Sequence, residues 1–234
     1  MRSPAKLATK IQADLRDLSR VAAMSDASST VLVIDDDPDL RASVGRLLRS
    51  LGINVQLFAS ISEFLKSDAP DGPTCLVLDI RMPDQSGLDL QRELVAANRE
   101  IPIIFVTGHG DIPMSVQAMK RGAIEFLTKP FRDQDLLDAI QLGLSRDRAR
   151  RENDKDLAAL RERFASLSPR EREIVIQVAR GRLSKQIAHE IGIAEATVKV
   201  HRSRAMQKMQ AGSLPELGRM AGRLKLVPDA PSRS

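Results

Sequence analysis

Five short apolar runs, rich in β-branched residues, punctuate the first half of the chain: 31–34 (VLVI), 54–58 (NVQLF), 75–78 (CLVL), 103–106 (IIFV) and 124–127 (IEFL). Between them the apolar positions change to a helical period, as at Leu40, Val44, Leu47, Leu48 and Leu51, where Gly52 follows as a C-cap. Strands therefore alternate with helices. Near-continuous apolar strands are buried on both faces, which predicts a five-stranded parallel sheet, doubly wound with helices on its two faces. The pattern changes after 145. Residues 136–164 hold helix formers with an intermittent apolar stripe at Leu137, Ile140, Leu144, Leu157 and Leu160 and no proline before Pro169, so a long charged helix is expected to link two domains. A polar block at 145–156 breaks the stripe and weighs against a continuous coiled coil.

From Leu167 onward the punctuation is helical throughout. Ser168-Pro-Arg-Glu171 reads as a capping box with proline in the first turn, and Ile174, Val175, Val178 and Ala179 form an apolar face ending at Gly181. Ser184 opens a second helix carrying Ile187, Ala188 and Ile191 and stopping at Gly192. A third follows over about 194–209, and Ser213-Leu-Pro-Glu216 reads as a capping box for a fourth. A short helix, a glycine turn and a longer polar-faced helix describe a helix-turn-helix inside an all-α, four-helix domain. The expected division is an extension over 1–29, a sheet domain over 30–145, a helical linker over 146–164, a DNA-binding domain over 165–228 and a tail over 229–234.

Composition sharpens this division. The 234 residues are 42% hydrophobic and 29% charged, enough apolar matter for packed cores. The lone Cys75 excludes an internal disulfide and a multi-cysteine zinc site, and fits a reducing cytoplasm. No apolar run is long enough to span a membrane, so no membrane partner is expected. Six Phe with neither Trp nor Tyr argue against an aromatic stacking platform. Charge is divided unequally: residues 30–145 carry 11 basic and 17 acidic side chains, whereas residues 160–234 carry 15 basic and 7 acidic. The net +5 thus conceals an acidic sheet domain and a basic helical one, which suits a polyanion as partner of the latter.

In a doubly wound sheet, ligands collect beyond the carboxyl ends of the strands. The acids lie there: strand one ends in Asp35-Asp36-Asp37 and strand three in Asp79, while strand four ends in Thr107-Gly108 and strand five runs into Lys129-Pro130. Carboxylates that converge on one rim repel one another unless a cation or a proton intervenes, and hard oxygen ligands with room for water suit Mg²⁺. A lysine and a hydroxyl aimed at the same spot are what an anion carried by Asp79 requires.

The motifs IDDDPDLR (34–41), LDIRMPDQSGLDL (78–90), VTGHGD (106–111) and LTKPF (127–131), taken in order, resemble a response-regulator receiver domain. The resemblance implies that Asp79 is the phosphoacceptor, with Asp35, Asp36, Asp79 and the backbone carbonyl of Arg81 around Mg²⁺. It also implies that Thr107 and Lys129 bind the phosphoryl oxygens, that Pro130 follows a cis peptide, and that Phe126 fills the space Thr107 vacates once Asp79 is phosphorylated. His109 either borders the phosphoryl group or is simply exposed.

Residues 167–209, LSPREREIVIQVARGRLSKQIAHEIGIAEATVKVHRSRAMQKM, with the SLPELGRMA that follows, resemble a LuxR-type DNA-binding domain of the FixJ-like subfamily. Ala194 departs from the Ser or Thr usual there, which leaves the recognition helix less firmly capped by about 1 kcal/mol. At about 100° per residue, Val198, Ala205 and Met209 share a core-facing side, while Lys199, Val200, Ser203 and Gln207 face a major groove. Lys185, Thr197, Arg202, Arg204 and Lys208 are expected to hold phosphates.

Taken together, these readings imply a cytoplasmic, phosphorylation-activated transcriptional regulator rather than an enzyme acting on an outside substrate. Its expected partners are a sensor histidine kinase, double-stranded promoter DNA and, on phosphorylation, a second copy of the chain, with RNA polymerase a further candidate. The other reading is a DNA-binding protein indifferent to phosphorylation, whose sheet domain serves dimerisation or ligand binding; the intact acid, Thr and Lys positions favour the first. Residues 1–29 either form an amphipathic helix with Leu7, Ile11, Leu15, Leu18 and Val21 on one face, or largely precede a natural start at Met24, the reading preferred here.

Overall fold

The structure, a computed structural model, describes residues 29–83, 85–108 and 112–226. The expectations for residues 1–28, for His109 and for the tail over 229–234 lie outside the described residues. The chain divides into two compact units, Met1–Arg151 and Glu152–Ser234.

In the first unit the strands are β1 (Thr30–Ile34), β2 (Asn54–Phe58), β3 (Thr74–Asp79), β4 (Ile103–Thr107) and β5 (Glu125–Thr128), all parallel, in the order β2-β1-β3-β4-β5. Helices α1 (Pro38–Ser50), α2 (Ile61–Leu65), α3 (Gly87–Ala96) and α4 (Ile112–Lys120) fill the crossovers, and α5 (Asp133–Ala165) follows β5. Side chains on a strand alternate between faces, so the sheet builds two cores. Val31, Val33, Val77, Ile104 and Val106 meet Val44 and Leu48 of α1 and Leu136, Ile140 and Leu144 of α5. Leu32, Ile34, Leu76, Leu78 and Phe105 meet Ile61 and Phe64 of α2, Leu90 and Leu94 of α3 and Ala118 of α4. Only the three central strands are buried along their whole length; β2 and β5 are edges with half-exposed positions. The expectation of burial on both faces fails at the edges because each has a neighbour on one side only.

Register decides where the chemistry falls. Ile34 pairs with Leu78, Asp79 with Val106, and Thr107 with Thr128, so the residues at or just past these pairs (Asp35, Asp79, Thr107 and Lys129) share one rim. Gly52 follows the C-terminus of α1 with φ +73°, the left-handed conformation a glycine turn provides.

Helix α5 is continuous over 33 residues. The first unit takes in residues 146–151, which the sequence reading places in the linker, because Asp147 of α5 is 1% exposed and accepts the backbone N–H of Thr74 at 2.9 Å. Arg150 and Arg151 neutralise it from the same helix, at 2.6 and 2.7 Å.

The second unit contains α6 (Pro169–Ala179), α7 (Ser184–Ile191), α8 (Glu195–Met209) and α9 (Leu214–Arg223) with the last turns of α5. Leu160, Val175, Ala205, Met209, Leu217 and Ala221 form its main core, and Ile174, Ile187 and Val198 a second cluster between α6, α7 and α8. The capping box at Ser168 is complete, since Ser168 accepts from the Glu171 N–H and Glu171 accepts from the Ser168 N–H. At Ser213 only half the expected box forms, because Glu216 turns instead to the backbone N–H of Gly212. Ser184 opens α7 as expected; Leu183 is the N-cap, and Gln186 accepts the Leu183 N–H. At Ala194 no side chain caps α8, as its methyl group requires.

Candidate functional site: an acidic rim and an exposed helix

Asp35 follows β1, Asp79 closes β3, and Asp36 stands beside them; one carboxylate oxygen from each falls within 4.8 Å of the others. Asp35 and Asp79 are buried and Asp36 is exposed. Lys129, just past β5, donates from Nζ to Asp35 Oδ2 and Asp79 Oδ2, both at 2.6 Å. Burial disfavours the Lys129 ammonium, but the hydrogen bonds and charges of the two carboxylates outweigh it and hold its pKa above the ordinary lysine value. Burial pushes the Asp35 carboxyl up, against the hydrogen bonds from Lys129 and the Asp37 N–H. The rim thus has more negative charge than one ammonium settles. Oxygen-only donors, two of them buried, gathered around one point fit a hard divalent cation.

The backbone holds these side chains in place. Asp79 Oδ1 accepts the Arg81 N–H at 2.9 Å, and Asp35 Oδ1 accepts the Asp37 N–H at 3.0 Å. Thr107 is fully buried at the end of β4, and Lys129 donates its backbone N–H to the Thr107 carbonyl at 2.8 Å. The Lys129–Pro130 peptide is cis. Phe126 is half-buried on β5 against the α3–α4 core.

Two contributors escape sequence reasoning. Arg41 of α1 donates to the Asp35 carbonyl at 2.5 Å, an i+6 contact that helix periodicity does not reveal. Gly87 opens α3 against the end of β3: a Cβ there would lie 2.5 Å from the Asp79 carbonyl oxygen. The only signal was a glycine inside the motif around Asp79.

In the second unit, Val198, Ala205 and Met209 are buried, and Thr197, Lys199, Val200, Ser203, Arg204 and Gln207 are exposed on α8, as is Lys185 on α7. Val200, an apolar residue, is 48% exposed on a helix that has a core available to it. Two of the expected phosphate holders are engaged within the protein. Arg202 is half-buried and donates to Ser184 Oγ at 2.8 Å. Lys208 donates to Glu171 Oε2 at 2.7 Å; that carboxylate is 3% exposed. The Lys208 hydrogen bond keeps the Glu171 pKa below its usual range, against the opposing effect of burial. Among the described residues no helix is long and apolar enough to cross a membrane.

Two family models match the chain in tandem: the response regulator receiver domain over residues 31–141, and the luxR family of bacterial regulatory proteins over residues 165–221. Nodulation protein W of Bradyrhizobium diazoefficiens is 53% identical over 82% of this chain and 84% of its own length. Transcriptional regulatory protein FixJ of Rhizobium meliloti is 42% identical over 82% of this chain and 94% of its own. A solved low-resolution structure of the response regulator StyR superposes with a TM-score of 0.73 at 48% identity, covering 84% of this chain and 99% of that one.

Proposed function

Because this chain belongs to the response regulators that join a receiver domain to a LuxR-type DNA-binding domain, we propose that Asp79 is the residue through which a sensor histidine kinase controls its binding to promoter DNA. The observation that carries this reading is the double contact of Lys129 Nζ with Asp35 and Asp79 at 2.6 Å, which sets a cation against the carboxylate that must accept a phosphoryl group. Asp35, Asp36, Asp79 and the Arg81 carbonyl would hold Mg²⁺, which supplies charge neutralisation to the transferring phosphoryl group.

The rest of the step belongs to the chain itself. A carboxylate oxygen of Asp79 attacks phosphorus in line; the new P–O bond forms as the P–N bond of the kinase phosphohistidine breaks, and its electron pair leaves on the imidazole nitrogen. Lys129 exchanges one carboxylate contact for a phosphoryl oxygen, and the Thr107 hydroxyl donates to another. The acyl phosphate adds charge and acceptor oxygens at the C-terminal rim, drawing Thr107 toward it, and Phe126 turns into the space left behind. Neither this step nor the later hydrolysis of the acyl phosphate acts on an outside substrate. The receiver face around α4 and α5 then pairs with a second copy, which raises the affinity of two DNA-binding domains for two half-sites through effective concentration. RNA polymerase is a further partner at the promoter. Lys199, Val200, Ser203 and Gln207 of α8 read base edges, and Lys185 of α7 with Thr197, Arg202 and Arg204 of α8 hold phosphates. Lys208 positions α8 through Glu171 and reaches a phosphate only by releasing that contact.

Intact-mass spectrometry after incubation with acetyl phosphate and Mg²⁺ tests the assignment. The wild type gains one phosphoryl group and Asp79→Asn gains none, since an amide oxygen forms no acyl phosphate. Stable labelling of Asp79→Asn would refute it.

A further inference from the structure

The opposite edge of the sheet, where the strands begin, holds a cavity of about 340 Å³, within the size range of small-molecule sites. It opens between the C-terminal half of α3, the turn after α4 and the segment of α5 around Asp147. Three of its lining residues are Arg99, Arg121 and Arg146, and among the described residues none of them pairs with a carboxylate. Arg150 also lines it but is committed to Asp147, leaving Glu100 as the acid that offsets three unpaired guanidinium groups. Leu94 and Ile101 supply apolar wall.

Beside these arginines the wall is fixed by Gln91. Gln91 lines the same cavity and is 2% exposed; its Nε2 donates to the backbone carbonyls of Ala118 (3.2 Å) and Arg121 (3.4 Å). Those bonds fix the amide, and its Oε1, itself buried from solvent, has no hydrogen-bond partner among the described residues.

We propose that this cavity binds a small organic carboxylate with an apolar body. Its carboxylate meets the forks of Arg99, Arg121 and Arg146, and its body lies on Leu94 and Ile101. Guanidinium suits a carboxylate because two parallel N–H donors match two oxygens, while a fully hydrated inorganic anion gains nothing from the apolar wall. The site lies at the opposite ends of the strands from Asp79 and does not depend on the phosphoacceptor assignment.

Calorimetric titration of the full chain with 4-hydroxybenzoate tests it, with inorganic phosphate and neutral 4-hydroxybenzyl alcohol as comparisons. Saturable one-to-one binding of 4-hydroxybenzoate is expected, tighter than either comparison, with about a tenfold loss in the Arg99→Gln/Arg121→Gln double variant, the equivalent of one charge-assisted contact. Asp79→Asn should bind it as the wild type does. Both arginines lie at the surface, so thermal melting of the double variant should match that of the wild type and separate lost binding from lost folding. Absence of saturable binding, equal binding of phosphate or of the alcohol, undiminished binding by the double variant, or loss of binding in Asp79→Asn would each overturn the proposal.

Discussion

A methyl group at position 87 has nowhere to go. Its carbon would sit 2.5 Å from the Asp79 carbonyl oxygen and 3.1 Å from Ile80 Cα, both backbone atoms that cannot swing aside. Gly87→Ala should therefore displace the end of β3, lower stability by about 1–3 kcal/mol as overpacking does, and slow phosphorylation at Asp79. Urea unfolding and the rate of labelling by acetyl phosphate measure the two effects; an unchanged rate would mean that the carboxylate is held independently of this approach. Lys199 and Lys208, both lysines of α8, should differ in kind. Lys199 is exposed and pairs with Glu195 one turn away, at 2.9 Å, so Lys199→Ala should cost about 1–3 kcal/mol on a specific duplex and relax base preference there. Lys208→Ala strips a buried carboxylate of its cation and should lower the melting temperature of the second unit as well as affinity for all duplexes. Binding titrations on specific and scrambled DNA, paired with thermal melts, separate them, and matching profiles would erase the distinction. The sequence made the rim acids, Thr107 and Lys129 legible because they sit at strand ends in recognisable motifs. It hid the Lys208 contact, because Glu171 is 37 residues away and only the packing of α6 on α8 brings the two together.

At the scale of elements, that packing carries a pH signature. The Glu171 carboxyl is held below its usual value chiefly by the Lys208 hydrogen bond, so its contribution to stability is present above the unfolded value of 4.5 and is lost as pH falls through the lower folded value. Hydrogen exchange of peptides from α6 and α8 should accelerate in the wild type as the medium is acidified through that range. In Glu171→Gln these peptides should exchange faster at neutral pH and change less with acid; the same acid response in both proteins would assign it to other carboxylates. Element placement was readable where apolar runs are continuous, as in β1, β3 and β4 with their all-buried positions. Caps were read less well. The Ser168 box forms as the motif dictates, whereas Ser213 loses half of its box to Gly212, a choice between two adjacent N–H groups that only the local backbone decides. The share of α5 that belongs to the first unit was hidden for a similar reason. A charged stretch looks like a solvated linker until Asp147 is seen to accept from Thr74, the first residue of β3.

Over the whole molecule, an acidic domain that takes up a phosphoryl group is joined to a basic one that meets a polyanion, and function lies in making the second depend on the first. The charge division was plain in the sequence, but the dependence is a property of two states, and neither composition nor motif measures it. The direct test begins with duplexes enriched from a randomised pool by the acetyl phosphate-treated protein, then measures affinity for them with and without the phosphodonor, in the wild type and in Asp79→Asn, with Mg²⁺ and fixed salt throughout. The account predicts that phosphorylation tightens binding by the wild type and leaves Asp79→Asn at the untreated value. Equal affinity of the phosphorylated and unphosphorylated wild type would contradict it, leaving a DNA-binding protein whose receiver does not control its output.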